Sequence, residues 1–224
     1  MVTPVLNEAI CIEETIRRVR QLAEVVELIV VDGGSQDATR DLAAKHGCRV
    51  LESPPGRGGQ LRLGAQHATG DVILFLHADT WLPADAGAAI QQALGDSSVV
   101  AGGFWKQFRD PPLFLRGSRP KCWIRVFLGR RIVGDMAMFV RREALEQAGG
   151  MKDMEIMEDI EVSVRLRQHG RLALASSSVT TSARRVREKG VLTTYLTMWR
   201  GAWLYRLGKP ASELRRIYGE VPGV

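Results

Sequence analysis

The sequence lacks several features that would decide its class at once. No apolar stretch approaches the roughly 20 residues that a membrane-spanning helix needs. Runs such as Leu28–Val31 and Val72–Leu76 are strand-length and end at acids or turns. No charged-then-apolar leader opens the chain, so a cytoplasmic protein, soluble or peripheral at the inner membrane face, is expected. The three cysteines, Cys11, Cys48 and Cys122, lie far apart. They suit neither a disulfide framework nor a zinc knuckle and read as reduced thiols. Two phosphate-binding signatures are also missing, the P-loop lysine pattern and a Gly-x-Gly-x-x-Gly run after a strand. Repeats, low-complexity tracts and linkers are absent, which predicts one domain over residues 1–224.

What remains is ordinary globular composition. A chain of 224 residues can bury one α/β core and has little room for a second. Apolar residues make up 45% and charged residues 25%, which excludes disorder. The net charge of +6 favours phosphorylated substrates, an anionic membrane surface or nucleic acid. Only the positions of the basic residues can choose among these.

Strand-type and helix-type runs alternate through the first half, the pattern of a parallel sheet with crossover helices. Val2–Val5, Glu27–Val31, Arg49–Leu51 and Asp71–Leu76 read as strands. Ala9–Leu22, Gln36–His46, Gly59–Ala68 and Ala84–Leu94 read as helices. The first strand is short for a central one. In the second half, strands are expected at Val99–Phe108 and Ala137–Val140, with one or two more in Leu172–Thr181. Arg142–Ala148, Asp159–Gln168 and Val191–Tyr205 read as helices. Pro111–Leu128 is irregular and helical, and a last turn or two falls at Ala211–Tyr218. This pattern predicts a nucleotide half over residues 1–100 and a more variable half over residues 101–224.

Ligands of open α/β sheets collect at the carboxyl ends of the strands. Three polar clusters fall there: Pro4-Val5-Leu6-Asn7-Glu8, Asp32-Gly33-Gly34-Ser35-Gln36-Asp37 and His77-Ala78-Asp79. Asp32 could accept bonds from a base or ribose, or from the Gly34 or Ser35 amide as a turn residue. Asp37 reads as a helix-start acid. Asp79 is a hard oxygen ligand suited to Mg2+ or Mn2+, or else a turn cap before Pro83. His77 is a second ligand or an inward structural histidine. Gly56-Arg57-Gly58-Gly59-Gln60 opens a helix, where free N–H groups favour anions; a simple turn after Pro54-Pro55 is the alternative. Glu158 and Asp159 begin a helix. They either complement its dipole or supply Asp159 as a general base. Arg184 and Arg185 start a basic loop, either solvated or folded over a diphosphate.

Taken in order, these segments resemble glycosyltransferase family 2. The resemblance rests on Pro-Val-Leu-Asn-Glu, Val-Val-Asp-Gly-Gly-Ser-Gln-Asp-Ala-Thr and Ala-Thr-Gly-Asp-Val-Ile-Leu-Phe-Leu-His-Ala-Asp-Thr. Gly150-Met151, Glu158-Asp159-Ile160-Glu161 and the Arg165-Leu166 stretch to Gly170 extend it. The chain looks most like a compact bacterial subgroup associated with radical-SAM and selenoprotein-type genes.

The resemblance implies an A-type glycosyltransferase fold: a Rossmann-like, mostly parallel nucleotide-binding sheet with helices on both faces. It also implies inverting transfer from a nucleoside-diphosphate sugar to an acceptor hydroxyl, with no nucleic-acid partner. Pro4, Asn7 or Glu8 and Asp32 would line the nucleoside pocket, with Gly34, Arg57 and Ala78 as further donor contacts. Asp79 would hold Mg2+ or Mn2+, and Asp159 would be the base. Asp135 and Glu158 would wall the acceptor side, and the loop from Arg184 and Arg185 would close over the diphosphate. His77 departs from the aspartate many members carry. The Gln-x-x-Arg-Trp motif of processive synthases is missing, which favours single transfer.

Two other functions fit parts of the pattern. A sugar nucleotidyltransferase has a related fold, but its glycine-rich start is absent near residue 5. A non-catalytic nucleotide-sugar-binding protein would bind without sugar release. Trp199, Trp203, Leu204 and Leu207, with Arg200 and Arg206, give the last long helix an apolar stripe. Core packing, a homodimer, or an anionic membrane presenting a lipid-linked acceptor are its possible uses.

Overall fold

The computed structural model describes residues 1–25, 27–109, 122–129, 131–183, 190–209, 213–214 and 217. Strands β1 (Val2–Val5), β2 (Ile29–Asp32) and β3 (Arg49–Glu52) pair in parallel in the order β1-β2-β3. Their register sets Val5 beside Asp32 and Asp32 beside Glu52, so the carboxyl ends finish level. All four residues of β2 are buried, as a run of Ile, Val and Val flanked on both sides requires. Helix α1 (Ala9–Val19) buries Ile12, Thr15, Ile16 and Val19, a stripe at helical spacing. It ends three residues before the expected Leu22, where the chain turns and the Leu22 N–H bonds the Val19 carbonyl.

Helix α2 spans Thr39–Lys45 rather than starting at Gln36. Asp37 accounts for the late start: its carboxylate accepts the Thr39 N–H at 3.0 Å and the Ala9 N–H at 3.1 Å. That side chain holds a local turn where helix was expected. Helix α3 covers Arg57–His67 and α4 covers Ala86–Leu94.

A second sheet has the order β4-β7-β6-β8-β5, from β4 (Val72–Leu74), β5 (Thr80–Trp81), β6 (Val99–Phe108), β7 (Phe139–Arg141) and β8 (Arg171–Thr181). Strand β6 runs parallel to β8 and antiparallel to β7, while β4 and β5 lie antiparallel on the two edges. The Leu172–Thr181 region is therefore one long strand. A parallel bridge between Val2 and Phe75 joins the two sheets. Helices α5 (Arg142–Gln147), α6 (Glu158–Leu166) and α7 (Val191–Arg206) follow.

The core explains why helices occupy both faces. On one side Ile29, Val31, Ile73 and Phe75 pack with Leu61 of α3 and with Val162 and Leu166 of α6. On the other, Leu74, Leu76, Phe104 and Phe139 pack with Val19 of α1 and with Ala86 and Ala89 of α4. Phe104 and Phe139 meet edge to face, with ring centroids 5.8 Å apart. Helices on both faces of two joined sheets give the α/β layering that the sequence implies. Of the irregular Pro111–Leu128 segment, residues 122–128 are described; Cys122 and Val126 are buried and Ile124–Leu128 forms a π-helical turn. Most of Ala211–Tyr218 lies outside the described residues. No described helix is long and apolar enough to cross a membrane.

Candidate active site

The loops after β1 and β2 are tied together by side chains. Asn7, with φ 54°, donates its N–H to Ser35 Oγ at 2.9 Å, and its Oδ1 accepts the Gln36 N–H at 2.8 Å. Asn tolerates that left-handed conformation better than most residues. Glu8 is buried, and its N–H donates to Thr39 Oγ1 at 2.8 Å. The Asp32 carboxylate turns inward: it accepts the Gly34 and Ser35 N–H groups at 3.0 Å each and the Ser35 hydroxyl. Those bonds use both lone pairs of Oδ2 and one of Oδ1, leaving one acceptor site on Oδ1. Gly34, at φ 94°, makes the reversal that a side chain would strain.

Gln60 was not expected to matter here. It is buried, and its Nε2 donates to the carbonyls of Val5 and Val31 at 2.8 Å each, which pins the ends of β1 and β2. Its signal was a lone amide in a glycine-rich helix start. The neighbouring Gly58 and Gly59 allow a close approach of the chain. A Cβ on Gly58 would collide with the backbone of Met154 and, at 2.8 Å, with the Lys152 carbonyl. The Gly56–Gln60 turn is thus shaped by the chain passing over it.

Residues from distant segments meet at the next rim. Arg57, at the first turn of α3, donates its Nε to Glu158 Oε1 and sits 4.0 Å from Asp159 Oδ2. The Glu158 side chain is 1% exposed and that of Asp159 13%. Asp159 Oδ2 accepts the Gly134 N–H at 2.6 Å, and Oδ1 accepts the Ile160 N–H at 2.7 Å. His77 Nε2 and Asp159 flank the Gly134 Cα, where an added Cβ would lie 2.7 Å from one and 3.5 Å from the other. Pro4, Phe75, His77, Gly134, Glu158 and Asp159 line a cavity of about 20 Å³. Asp135, one residue on, is paired with the buried Lys106.

Burial and then the neighbouring Glu158 push the Asp159 carboxyl up to about 6, against Arg57 and the two backbone N–H groups. Burial and then Arg57 pull His77 down, which favours the neutral ring. Burial alone would lower the Arg57 guanidinium, but Glu158 and Asp159 raise it, so its charge is fixed.

Asp79 is half-buried and accepts the Thr80 hydroxyl at 3.3 Å. Its backbone carbonyl accepts Arg109 Nη2 at 3.1 Å, and Arg109 stacks on the Trp81 ring at 3.7 Å. The Ala78 methyl faces the core near Val5, Ile12 and Ile16, and its carbonyl accepts the Thr15 hydroxyl, so a ligand there meets backbone. Among the described residues no group of three or more His, Cys, Asp or Glu forms a ready-made metal cage. Mg2+ is commonly held by one or two carboxylates together with substrate phosphates. Asp79, with further lone pairs on its carboxylate, fits that mode. Arg184 and Arg185 lie outside the described residues. Lys106 and Arg109 were missed in the sequence; the detectable sign for Lys106 was a lysine at a buried position of a largely apolar strand.

The sequence model of the family described as Glycosyl transferase family 2 matches residues 1–149. An uncharacterized glycosyltransferase of Mycobacterium tuberculosis is 29% identical over 178 residues, 74% of this chain and 67% of that protein. Glucosyl-3-phosphoglycerate synthase of the same organism is 37% identical over 90 residues, 35% of this chain and 28% of the synthase. Among solved structures, a mannosyltransferase of Pyrobaculum calidifontis in complex with GDP-Man and Mn2+ superposes with a TM-score of 0.68 at 22% identity. That match covers 96% of this chain and 66% of the mannosyltransferase, a likeness of fold. The chain spans about two thirds of these proteins at most.

Proposed function

This chain belongs to Glycosyl transferase family 2, and from that premise we propose that it moves a sugar from a nucleoside-diphosphate sugar to an acceptor hydroxyl in one inverting, non-processive displacement. The observation that carries the proposal is the placement of Asp159. It is a mostly buried carboxylate at a helix start, with its acidity weakened, beside a fixed cation and at the rim where the strand-end loops gather. Asp159 lies beyond the residues matched by the family model, so its role rests on this geometry.

In this mechanism Asp159 takes the proton of the acceptor hydroxyl as the oxygen attacks the anomeric carbon. The Gly134 and Ile160 N–H groups orient the carboxylate and leave a lone pair on each oxygen. Arg57 keeps Glu158 and Asp159 together despite their like charge. Glu158 and Asp135 wall the acceptor side. Asn7, Glu8 and Pro4 shape the nucleoside side, Asp32 acts through the Gly34–Ser35 loop that it holds, and Ala78 presents backbone. Asp79 would hold Mg2+ or Mn2+, which when bound offsets the charge developing on the departing diphosphate. Arg184 and Arg185 would close over that diphosphate. The whole chain acts as one unit, residues 1–100 for the donor and 101–224 for the acceptor, in the manner of the compact subgroup it resembles. A lipid-linked hydroxyl and a small soluble one are both chemically suitable acceptors.

The test is release of a nucleoside diphosphate from a panel of nucleotide sugars with Mn2+ and candidate acceptors. Pyrophosphate release from a nucleoside triphosphate and a sugar phosphate would point to a nucleotidyltransferase instead. The pH profile adds a second check. A base works only when deprotonated, so kcat/KM should level off above the Asp159 value of about 6. Below it, the rate should fall about tenfold per pH unit. An acid limb near the ordinary aspartate range would contradict the assignment.

A further inference from the structure

We propose that the exposed stripe of α7 docks this protein on an anionic membrane surface, which goes beyond the transfer reaction and does not rest on the role of Asp159. Leu196, Trp199, Trp203 and Leu207 recur at steps of three, four and four residues, so they share one helix face. Trp199 is 69% exposed and Trp203 50%, unusual for side chains of that size. Exposed Arg200 lies within the same stripe and exposed Lys209 just beyond it. The opposite side is committed to the fold: Thr194 and Gly201 are buried, and Leu204 and Tyr205 pack by Met157 and Ile160.

Charge selects the occupant. The Val191–Arg206 segment contains arginine but no Asp or Glu. A two-fold dimer through this face would set the same patch against itself, desolvating two arginines with no acid on either helix. Anionic headgroups neutralise Arg200, Lys209 being paired with Glu213 at 3.4 Å, while indole rings suit the boundary between headgroups and acyl chains. The net charge of +6 adds attraction at longer range. Because α7 packs on residues flanking Glu158 and Asp159, docking would bring the site within roughly one helix diameter, about 10 Å, of the surface.

The experiment is sedimentation of the full chain with vesicles, in the absence of nucleotide sugar. One set is phosphatidylcholine alone; the other is equal parts phosphatidylcholine and phosphatidylglycerol. The protein should pellet with the anionic vesicles at low salt, with a blue shift of tryptophan emission, and be released by high salt. Trp199→Ala with Trp203→Ala should weaken binding at least about tenfold. Arg200→Glu should weaken it about tenfold on anionic vesicles and leave neutral ones unchanged. All three positions are exposed, and unchanged circular dichroism would confirm folding. Failure to pellet, equal pelleting with neutral vesicles, or a solution dimer abolished by the tryptophan variant would each overturn the proposal. A failed transfer assay would leave it standing.

Discussion

Replacement of Asp159 by Asn is expected to lower sugar transfer about 10²–10⁴-fold while binding of the donor nucleotide is retained. The amide has nearly the carboxylate's shape but cannot take a proton. Donor affinity should survive because the carboxylate bonds Gly134 and Ile160 and lies 4.0 Å from Arg57, while its hydrogen bonds reach none of Asn7, Asp32 and Asp79. Some loss of stability accompanies the change. One oxygen becomes an NH2 group facing a backbone N–H, an unsatisfied contact costing about 1–3 kcal/mol. A thermal melt of the variant separates that cost from the chemistry. Equal loss of transfer and donor binding would argue that Asp159 shapes the site rather than acting as its base.

The second large effect is on stability. Arg57 is the cation placed between Glu158 and Asp159, whose side chains are 1% and 13% exposed. Arg57→Met keeps much of the side-chain volume and removes the charge. Breaking a buried pair from one side typically costs about 3–5 kcal/mol, because the partner is left charged and dry. Native domains have only about 5–15 kcal/mol in hand, so the melting temperature should fall by roughly ten degrees. The variant can recover by protonating Asp159, whose carboxyl burial and Glu158 push up to about 6. That carboxyl takes up a proton more readily folded than unfolded, so stability falls as pH rises through its titration. The deficit should therefore shrink at mildly acidic pH. A melting temperature unchanged at neutral pH would mean that this pair contributes little to the fold.

Much of the architecture is legible in the chain because local pattern and burial agree. Leu28-Ile29-Val30-Val31 is continuous and apolar, and β2 is buried throughout. The expected span of the Val99–Phe108 strand is that of β6, since β-branched and aromatic residues persist along it. Boundaries moved where side chains compete with backbone, as at Asp37, which delays α2. Strand β4 was legible within Asp71–Leu76, but its antiparallel pairing and the short edge β5 were not, because pairing partners far apart in sequence leave no local trace. At the site, the cluster of Arg57, Glu158 and Asp159 joins segments about a hundred residues apart. Each alone reads as an ordinary helix start. Gln60 and Lys106 left only faint local signs, and Arg109 none, for the same reason: their partners are backbone carbonyls or distant acids.

The most direct test is calorimetric titration of a nucleoside diphosphate with Mn2+ into the native protein and into Asp79→Asn. Metal-dependent binding to the native chain that Asp79→Asn loses, with the variant's melting temperature unchanged, is the predicted result. Equal, Mn2+-dependent binding by both proteins would contradict the placement of the diphosphate at this rim.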